Sequence, residues 1–195
     1  MIGIADYTFW KLLDEAEKLC EGIQNASEGA VEQNVVVEGL LSVGKGSVVK
    51  DGSRIEGNVF IGENCVIGPN AYLRKSVIIG DNCHVANSEI KNSVILHDSN
   101  VPHYSYVGDS VIGANVNLGA GTKIANLRFD DKNISVAVAG RKTDSGRRKL
   151  GCLIGNNSKL GINSGVNCGV IIGNGCFVRP GKVVEKNLED GAKLD

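Results

Sequence analysis

The sequence of 195 residues predicts a mainly β fold, a parallel β-helix of about seven coils, because its hydrophobic pattern repeats every six residues. An aliphatic residue recurs at every sixth position over 43–85, and the series continues over 90–124 and 154–184. In fourteen units a turn-forming Asn or Gly follows three residues later, and in most units a small residue precedes the next aliphatic one by two positions. Residues two apart on a strand share a face, so each unit points one large and one small side chain inward.

The repeat defines the candidate core and the candidate turns. The aliphatic positions are Val43, Val49, Ile55, Ile61, Ile67, Leu73, Ile79, Val85, Ile90, Ile95, Val101, Val107, Ile112, Leu118, Ile124, Ile154, Leu160, Val166, Ile172, Val178 and Val184. The small inward positions include Ser47, Ser53, Cys65, Ala71, Cys83, Ser105, Ser158 and Cys176. Asparagines, which tolerate a positive φ, occupy the turn position at Asn64, Asn70, Asn82, Asn115, Asn157 and Asn163.

Composition agrees with such a fold and argues against several classes of protein. The chain has 26 Gly but only four Phe, four Tyr and one Trp, so we expect an aliphatic core interrupted by many turns. A net charge of -1 argues against a nucleic-acid-binding protein. No apolar run is long enough to span a membrane, and no export signal precedes the repeat. We therefore expect a cytoplasmic protein with reduced cysteines.

Residues 5–24 predict an amphipathic helix ahead of the repeat. Asp6 or Thr8 would cap its first turn. Residues 25–42 then connect the helix to the first coil, and we expect the helix to pack on that coil and cover its open edge. The apolar side of the helix comprises Phe9, Leu12, Leu13, Ala16, Leu19 and Cys20.

Two further segments fall outside the repeat. Residues 126–150 form a polar, basic inserted loop, and insertions in solenoids often serve a binding site on one face. Residues 186–195 form a C-terminal tail. The predicted domain organisation is therefore a helix with its connector over 1–42, a β-helix over 43–185, and the tail.

The six-residue rhythm changes in the middle of the chain. The steps from Val85 to Ile90 and from Ile90 to Ile95 are five residues long. Glu89 would then occupy a small inward position, where a carboxylate needs a partner, and Lys91 follows closely. Such a change of spacing marks either a functional site or a tolerated local bulge, and the repeat alone does not distinguish the two interpretations.

The spacing of cysteines and histidines argues against a metal centre. The sequence contains no CxxC pair, and it has too few histidines to complete a ligand set. The cysteines at small inward positions, which we expect to be core residues, are Cys65, Cys83, Cys152 and Cys176. The histidines are His84, His97 and His103.

Four longer motifs carry a resemblance to a known family. They are PHYSYVGDS at 102–110, IGANVNLGAGT at 112–122, ANLRFD at 125–130 and SGRRKLG at 145–151. Over about 43–185 the chain resembles the acetyltransferase domain of the archaeal-type bifunctional sugar-1-phosphate nucleotidylyltransferase/amino-sugar-1-phosphate N-acetyltransferases, which are hexapeptide-repeat transferases. The resemblance implies a left-handed β-helix, a homotrimer, and acetyl transfer from acetyl-CoA to glucosamine 1-phosphate or galactosamine 1-phosphate, without a metal.

The resemblance also implies roles for individual residues. His103 matches the general base, and Ala120, in the sequence GAGT, matches a backbone contact to the acetyl thioester. Glu89 aligns with the acidic neighbour of the phosphate-binding lysine. Asn126 matches the asparagine near the reacting amine. The positions that match contacts to the sugar or its phosphate are Arg74, Lys91, Tyr106 and Asn117. The basic residues that are candidates for coenzyme A binding, unless they form an ordinary solvated loop, are Arg141, Lys142, Arg147, Arg148 and Lys149.

The chain departs from the family in three respects, one of which is that the inserted segment 126–150 is longer than in the bacterial enzymes. Leu127 replaces a tyrosine common in the bacterial branch, so that contact differs. No nucleotide-binding signature precedes residue 43, so we expect no nucleotidyltransferase activity. Two other functions stay open. One is a non-catalytic β-helix partner or regulatory subunit, and the other is an acetyltransferase for a different amino-sugar acceptor.

Overall fold

The structure is a computed structural model that describes residues 8–195, so Asp6 and the start of the predicted helix lie outside the described residues. It contains one helix, α1, at Phe9–Glu21. The strands are β1 Ala26–Ser27, β2 Ala30–Val31, β3 Val36–Glu38, β4 Leu41–Val43, β5 Val48–Val49, β6 Arg54–Ile61, β7 Val66–Ile67, β8 Tyr72–Ile79, β9 His84–Val85, β10 Glu89–Ile95, β11 Asn100–Val101, β12 Tyr106–Gly108, β13 Val111–Ile112, β14 Asn117–Leu118, β15 Lys123–Ile124, β16 Ser135–Val138, β17 Arg141–Asp144, β18 Leu153–Ile154, β19 Lys159–Leu160, β20 Gly165–Val166, β21 Ile171–Ile172, β22 Phe177–Val178, β23 Val183–Val184 and β24 Lys193–Leu194.

The strands stack in parallel and build a left-handed β-helix with three faces. One face is a 9-stranded sheet that runs from β2 to β24. The other two faces belong to a single 13-stranded sheet, because β6, β8 and β10 continue from one face onto the next around a shared corner. The predicted mainly β, left-handed parallel β-helix is therefore confirmed.

The interior follows the predicted repeat closely. Every aliphatic residue of the repeat lies in one continuous buried core. The predicted small inward residues are buried beside them, and each predicted turn asparagine adopts a positive φ. The buried serines are satisfied by hydrogen bonds between coils, as where Ser47 Oγ donates to the Gly62 carbonyl at 2.6 Å and accepts from the Cys65 amide at 2.8 Å. A small polar residue in the core thus costs little, because its hydroxyl links successive turns.

The β-helix is longer than the repeat predicts. Its stack holds nine strands on one face, against the predicted seven coils. The segment 25–42 is not a simple connector, because β1 and β2 pair in register with β4 and β5. At the other end, β24 pairs with β22 within the predicted tail 186–195. At the N-terminal end the six-residue spacing in fact continues, because Val31 and Val37 precede Val43 at intervals of six. At the C-terminal end the spacing breaks, because Leu188 follows Val184 after only four residues.

The corner shared by β6, β8 and β10 is where the spacing changes. The pairing of β10 with β8 shifts register between Lys91 and Ser93, so the local bulge is real. Ser88, not Glu89, takes the buried small position before Ile90, because the five-residue step moves the inward register by one. The Glu89 side chain is about one-third exposed at 31% and points outward, which corrects the predicted inward placement.

Helix α1 packs along the side of the β-helix rather than over its end. Its contacts are with β6, β8, β10 and β13, so it does not cover the open edge of the first coil as expected. Leu12 and Leu19 are exposed, and Trp10 is buried in their place. Thr8 occupies the N-cap position, but its side chain makes no capping hydrogen bond.

The insertion is more ordered than a polar loop. The chain leaves the coil at Asn126 and returns at Leu150, whose amide donates to the Asn126 carbonyl at 3.1 Å. Between them, β16 and β17 form an antiparallel hairpin. One side of the insertion joins α1 in a second buried cluster that comprises Phe9, Trp10, Leu13, Val111, Ile134, Val136 and Leu150.

Candidate functional site

A buried ion pair lies at the corner where the rhythm changes. Lys91 Nζ is 2.5 Å from Asp109 Oδ2, and their side chains are only 3% and 4% exposed. Burial lowers the pKa of the Lys91 ammonium, although the hydrogen bond and charge of Asp109 oppose that shift. Because Lys91 is enclosed and paired, it is not placed to meet a substrate phosphate directly, which differs from its predicted role.

Asp109 is the centre of a wider polar network. Its Oδ1 accepts from Asn92 Nδ2 at 3.0 Å, and its Oδ2 accepts from Asn126 Nδ2 at 2.5 Å. Asn126 Nδ2 also donates to the Tyr106 hydroxyl at 3.0 Å. Both hydrogens of the Asn126 amide are thus directed, one to the carboxylate and one to the phenol.

The Tyr106 hydroxyl accepts a hydrogen bond and still carries its own proton. Burial, with the nearby charges of Asp109 and Glu89, raises the pKa of this phenol. Tyr106 is therefore a neutral donor at physiological pH. Gly108 leaves room for this arrangement, since a Cβ there would lie 2.5 Å from the Tyr106 hydroxyl and 2.6 Å from Asn126 Nδ2.

Arg74 lies beside this network on the coil below. Its position pairs in register with Lys91, and its Nε is 2.7 Å from Glu89 Oε1. The guanidinium carbon also lies 5.7 Å from the centre of the Tyr72 ring. The Arg74 side chain is 33% exposed, so it is the predicted phosphate-binding cation that solvent reaches.

His103 is exposed, on a turn three residues before Tyr106. The Gly119–Gly121 turn is stacked on this turn, because the Gly121 amide donates to the His103 carbonyl at 2.9 Å. The amides of Gly119 and Thr122 are also bonded within the fold. The Ala120 amide has no such bond within residues 8–195. It is therefore an available donor at the corner that joins the 9-stranded sheet to β12 and β15.

The remaining sugar-binding candidate lies on a different face. Asn117 is exposed on β14, in the 9-stranded sheet, whereas Tyr106 belongs to the 13-stranded sheet. A single chain therefore groups Arg74, Tyr106 and Asn126 on one side, and it carries Asn117 on the adjoining face.

The basic residues of the insertion are not equivalent. Arg147, a candidate for coenzyme A binding, instead contacts α1, with Nη2 at 2.5 Å from Asp14 Oδ1 and 2.8 Å from Glu17 Oε1. Arg148 is exposed and pairs with Asp131 at 2.6 Å. Lys149 is exposed. The Arg147 guanidinium therefore already has two carboxylate partners on α1.

We expect Arg147→Met to loosen α1 rather than to weaken coenzyme A binding. Loss of the charge-assisted bonds should accelerate amide hydrogen exchange in α1 about tenfold, since such bonds contribute about 1.5–3 kcal/mol at most and these are partly solvated. The matched control is Arg148→Met, which leaves the helix contacts intact. Unchanged exchange together with a raised KM for acetyl-CoA would restore the original role.

Asp109 was not singled out from the sequence. It falls in the five-residue step from Val107 to Ile112, and Lys91 falls in the corresponding step one coil below. Two five-residue steps in neighbouring coils therefore indicate a contact between Lys91 and Asp109, because they place their turn residues side by side.

Other kinds of site receive no support from the part of the chain that the structure describes. Over residues 8–195 no three His, Cys, Asp or Glu side chains come together as a metal site. The same residues include no helix with the length and apolarity needed to cross a membrane. All six cysteines are free thiols, and the four at predicted inward positions are buried, as expected.

The hexad core and the stacked coils define this chain as a β-helix protein of the hexapeptide-repeat class. The family described as GMPPB C-terminal domain matches residues 55–190, and the chain belongs to it. A UDP-N-acetylglucosamine acyltransferase from Campylobacter jejuni has the same fold, with a TM-score of 0.56 and 17% identity over 85% of this chain and 66% of that one.

Relatives of known name are similar along nearly the whole chain. A bifunctional sugar-1-phosphate nucleotidylyltransferase/acetyltransferase of Sulfurisphaera tokodaii is 43% identical over 93% of this chain and 46% of its own length. A bifunctional protein GlmU of Methanococcus maripaludis is 48% identical over 94% of this chain and 44% of its own. The chain therefore spans about half the length of these relatives, and the resemblance carried by its motifs is confirmed.

Proposed function

We propose that the protein is an N-acetyltransferase that moves acetyl from acetyl-CoA to the amine of an amino-sugar 1-phosphate. The observation that carries the proposal is the stacking of the His103 turn and the Gly119–Gly121 turn. It brings a potential base and the Ala120 amide, which is unbonded within residues 8–195, to one corner, as acyl transfer to an amine requires. The similarity to bifunctional nucleotidylyltransferase/acetyltransferases points to the same reaction.

In the proposed reaction, the neutral amine attacks the thioester carbonyl carbon. The new C–N bond forms, the C–S bond breaks, and His103 accepts the proton that the nitrogen loses. The departing thiolate of coenzyme A takes up a proton in turn. The Ala120 amide would donate to the oxyanion of the tetrahedral intermediate, and no covalent intermediate on the protein is needed.

The substrate phosphate would be bound by Arg74 and by the Tyr106 hydroxyl. Arg74 supplies a fixed, partly exposed guanidinium, and Tyr106 supplies a proton that no protein acceptor uses within the described residues. Lys91 would act indirectly, as the counterion of Asp109. The exposed Arg148 and Lys149 remain the candidates for the phosphates of coenzyme A.

We infer a homotrimer, in which the site lies between adjacent β-helices. The exposure of His103 and the placement of Asn117 on the adjoining face support this inference, since a neighbouring copy would enclose both. Light scattering on the purified protein should give three times the chain mass, and a monomer mass would contradict the trimer.

The function is tested by incubating the purified protein with acetyl-CoA and an amino-sugar 1-phosphate, with thiol release as the readout. We expect turnover with glucosamine 1-phosphate or galactosamine 1-phosphate, and the faster of the two identifies the acceptor. No release with either compound but release with a nucleotide-linked amino sugar would favour the other acceptor class. No release with any of them would favour a non-catalytic partner protein.

A further inference from the structure

Asn126 is a mostly buried residue, 9% exposed, and its two amide atoms differ in their contacts. Its amide nitrogen is engaged by Asp109 and Tyr106, whereas its Oδ1 makes no hydrogen bond within residues 8–195. Over the same residues, the Thr8 hydroxyl is the single buried side-chain oxygen or nitrogen without a partner. Asn126 Oδ1 is not among the fully buried atoms without a partner, so it keeps some access to solvent.

The orientation of this amide depends on Asp109. If the Asn126 side chain turned over, its Oδ1 would face the Asp109 carboxylate, and two acceptors would be opposed without a proton between them. The Asp109 carboxylate is buried and cannot turn away, because Lys91 and Asn92 hold both of its oxygens. The ion pair therefore selects one of the two amide orientations.

We propose that Asp109 is a positioning residue that fixes Asn126 with Oδ1 directed at the acceptor amine. This proposal rests on the acetyltransferase function. In that orientation Oδ1 accepts an N–H of the neutral amine, and this aims the nitrogen lone pair at the thioester carbon. Asp109 itself touches neither substrate, and it acts through Asn126.

The network also ties this amide to the N-terminal helix. Asn92 Nδ2 donates to Asp109 and also to Glu17 Oε1 at 2.8 Å, and Glu17 in turn accepts from Arg147. Asn92 and Asp109 both adopt a positive φ, with values of 49° and 50°. Substitutions at 109 that keep this backbone conformation are therefore limited to Asn or Gly.

A matched pair of double variants separates orientation from charge. The two variants are Lys91→Met/Asp109→Asn and Lys91→Met/Asp109→Gly. Both remove the ion pair, and both place at position 109 a residue that can adopt the positive φ found there. Only the first keeps an oxygen at position 109 that can accept from Asn126. We expect kcat of the Gly variant to be about 10–100-fold below that of the Asn variant, with the KM for acetyl-CoA within twofold.

The same comparison in an Asn126→Ala background tests whether Asp109 acts through Asn126. There the two variants should have equal kcat within twofold, because the amide to be oriented is gone. A difference that persists in this background, or equal kcat when Asn126 is present, would overturn the proposal. Asp98→Gly, at another aspartate with positive φ, is the control and should keep wild-type kcat.

A readout without substrate keeps this test separate from the proposed function. The side-chain amide signals of Asn126, assigned by their loss in Asn126→Ala, should show slow hydrogen exchange in the wild-type protein. The Asp109→Gly double variant should exchange at least tenfold faster than the Asp109→Asn one. Equal exchange would overturn the proposed orientation, whereas absent acetyl transfer with the expected exchange would contradict only the function.

Discussion

Replacing His103 by alanine is expected to lower kcat for acetyl transfer by about 10²–10⁴-fold, the usual contribution of a positioned base. The amine must lose a proton as the C–N bond forms, and no other histidine lies on the turn that faces Gly119–Gly121. The stability of the protein should not change, because the His103 side chain is exposed and its turn is held through the backbone carbonyl.

His97→Ala is the matched control for this prediction. His97 is also exposed, but its Nδ1 lies 2.7 Å from Asp98 at a different corner of the β-helix. Its loss should leave kcat within twofold. Similar rates for His103→Ala and the wild-type protein, measured by thiol release, would remove His103 from the reaction and leave the proton acceptor to be found elsewhere.

Replacing Lys91 by methionine is expected to lower the free energy of unfolding by about 3–5 kcal/mol. Methionine resembles the aliphatic part of lysine in size, so the main loss is the partner of a buried carboxylate. Asp109 would then remain charged among Asn92 and Asn126 without a cation, or would have to bind a proton. Urea denaturation, followed by circular dichroism, measures the change.

The double variant Lys91→Met/Asp109→Asn should recover most of that stability, because neither charge remains. Lys75→Met is the control, since Lys75 is an exposed lysine on the same corner. If Lys91 instead bound the substrate phosphate, its replacement would raise the KM for the sugar phosphate and leave unfolding nearly unchanged. That result would return Lys91 to the role that the sequence motifs imply.

Much of the fold could be predicted because its core is governed by local periodicity. Residues such as Ile61 and Ile79 stand one coil apart and stack directly, so a six-residue pattern reports a three-dimensional neighbour. The coil formed by 25–42 follows the same rule, since Val31 and Val37 continue the six-residue spacing back from Val43 and pair with Val49 and Ile55. The last turn could not be predicted in this way, because the spacing breaks after Val184, where Leu188 follows four residues later.

The sequence motifs identify most residues of the candidate site, but they do not show which of these residues contact each other. Tyr106 and Asn126 were named, and they do meet, but Asp109 between Lys91 and Asn126 was missed. Asp109 lies in the motif PHYSYVGDS, which carries the family resemblance. The motif does not show that this carboxylate is buried, and only the structure does. The contacts of Arg147 were missed for the same reason, because its partners Asp14 and Glu17 lie far away in sequence on α1.

The stacking of coils constrains how such a chain can change in length. Stacked residues are separated by 18 positions in most coils, so adding or deleting a complete coil leaves every later side chain on its original face. A change of one hexad would instead rotate everything beyond it onto the neighbouring face. Inserted between His103 and Asn126, one hexad would change the face on which Asn126 lies relative to His103, although the aliphatic positions would still point inward. The region around the site is therefore intolerant of small insertions that the aliphatic core itself would accept.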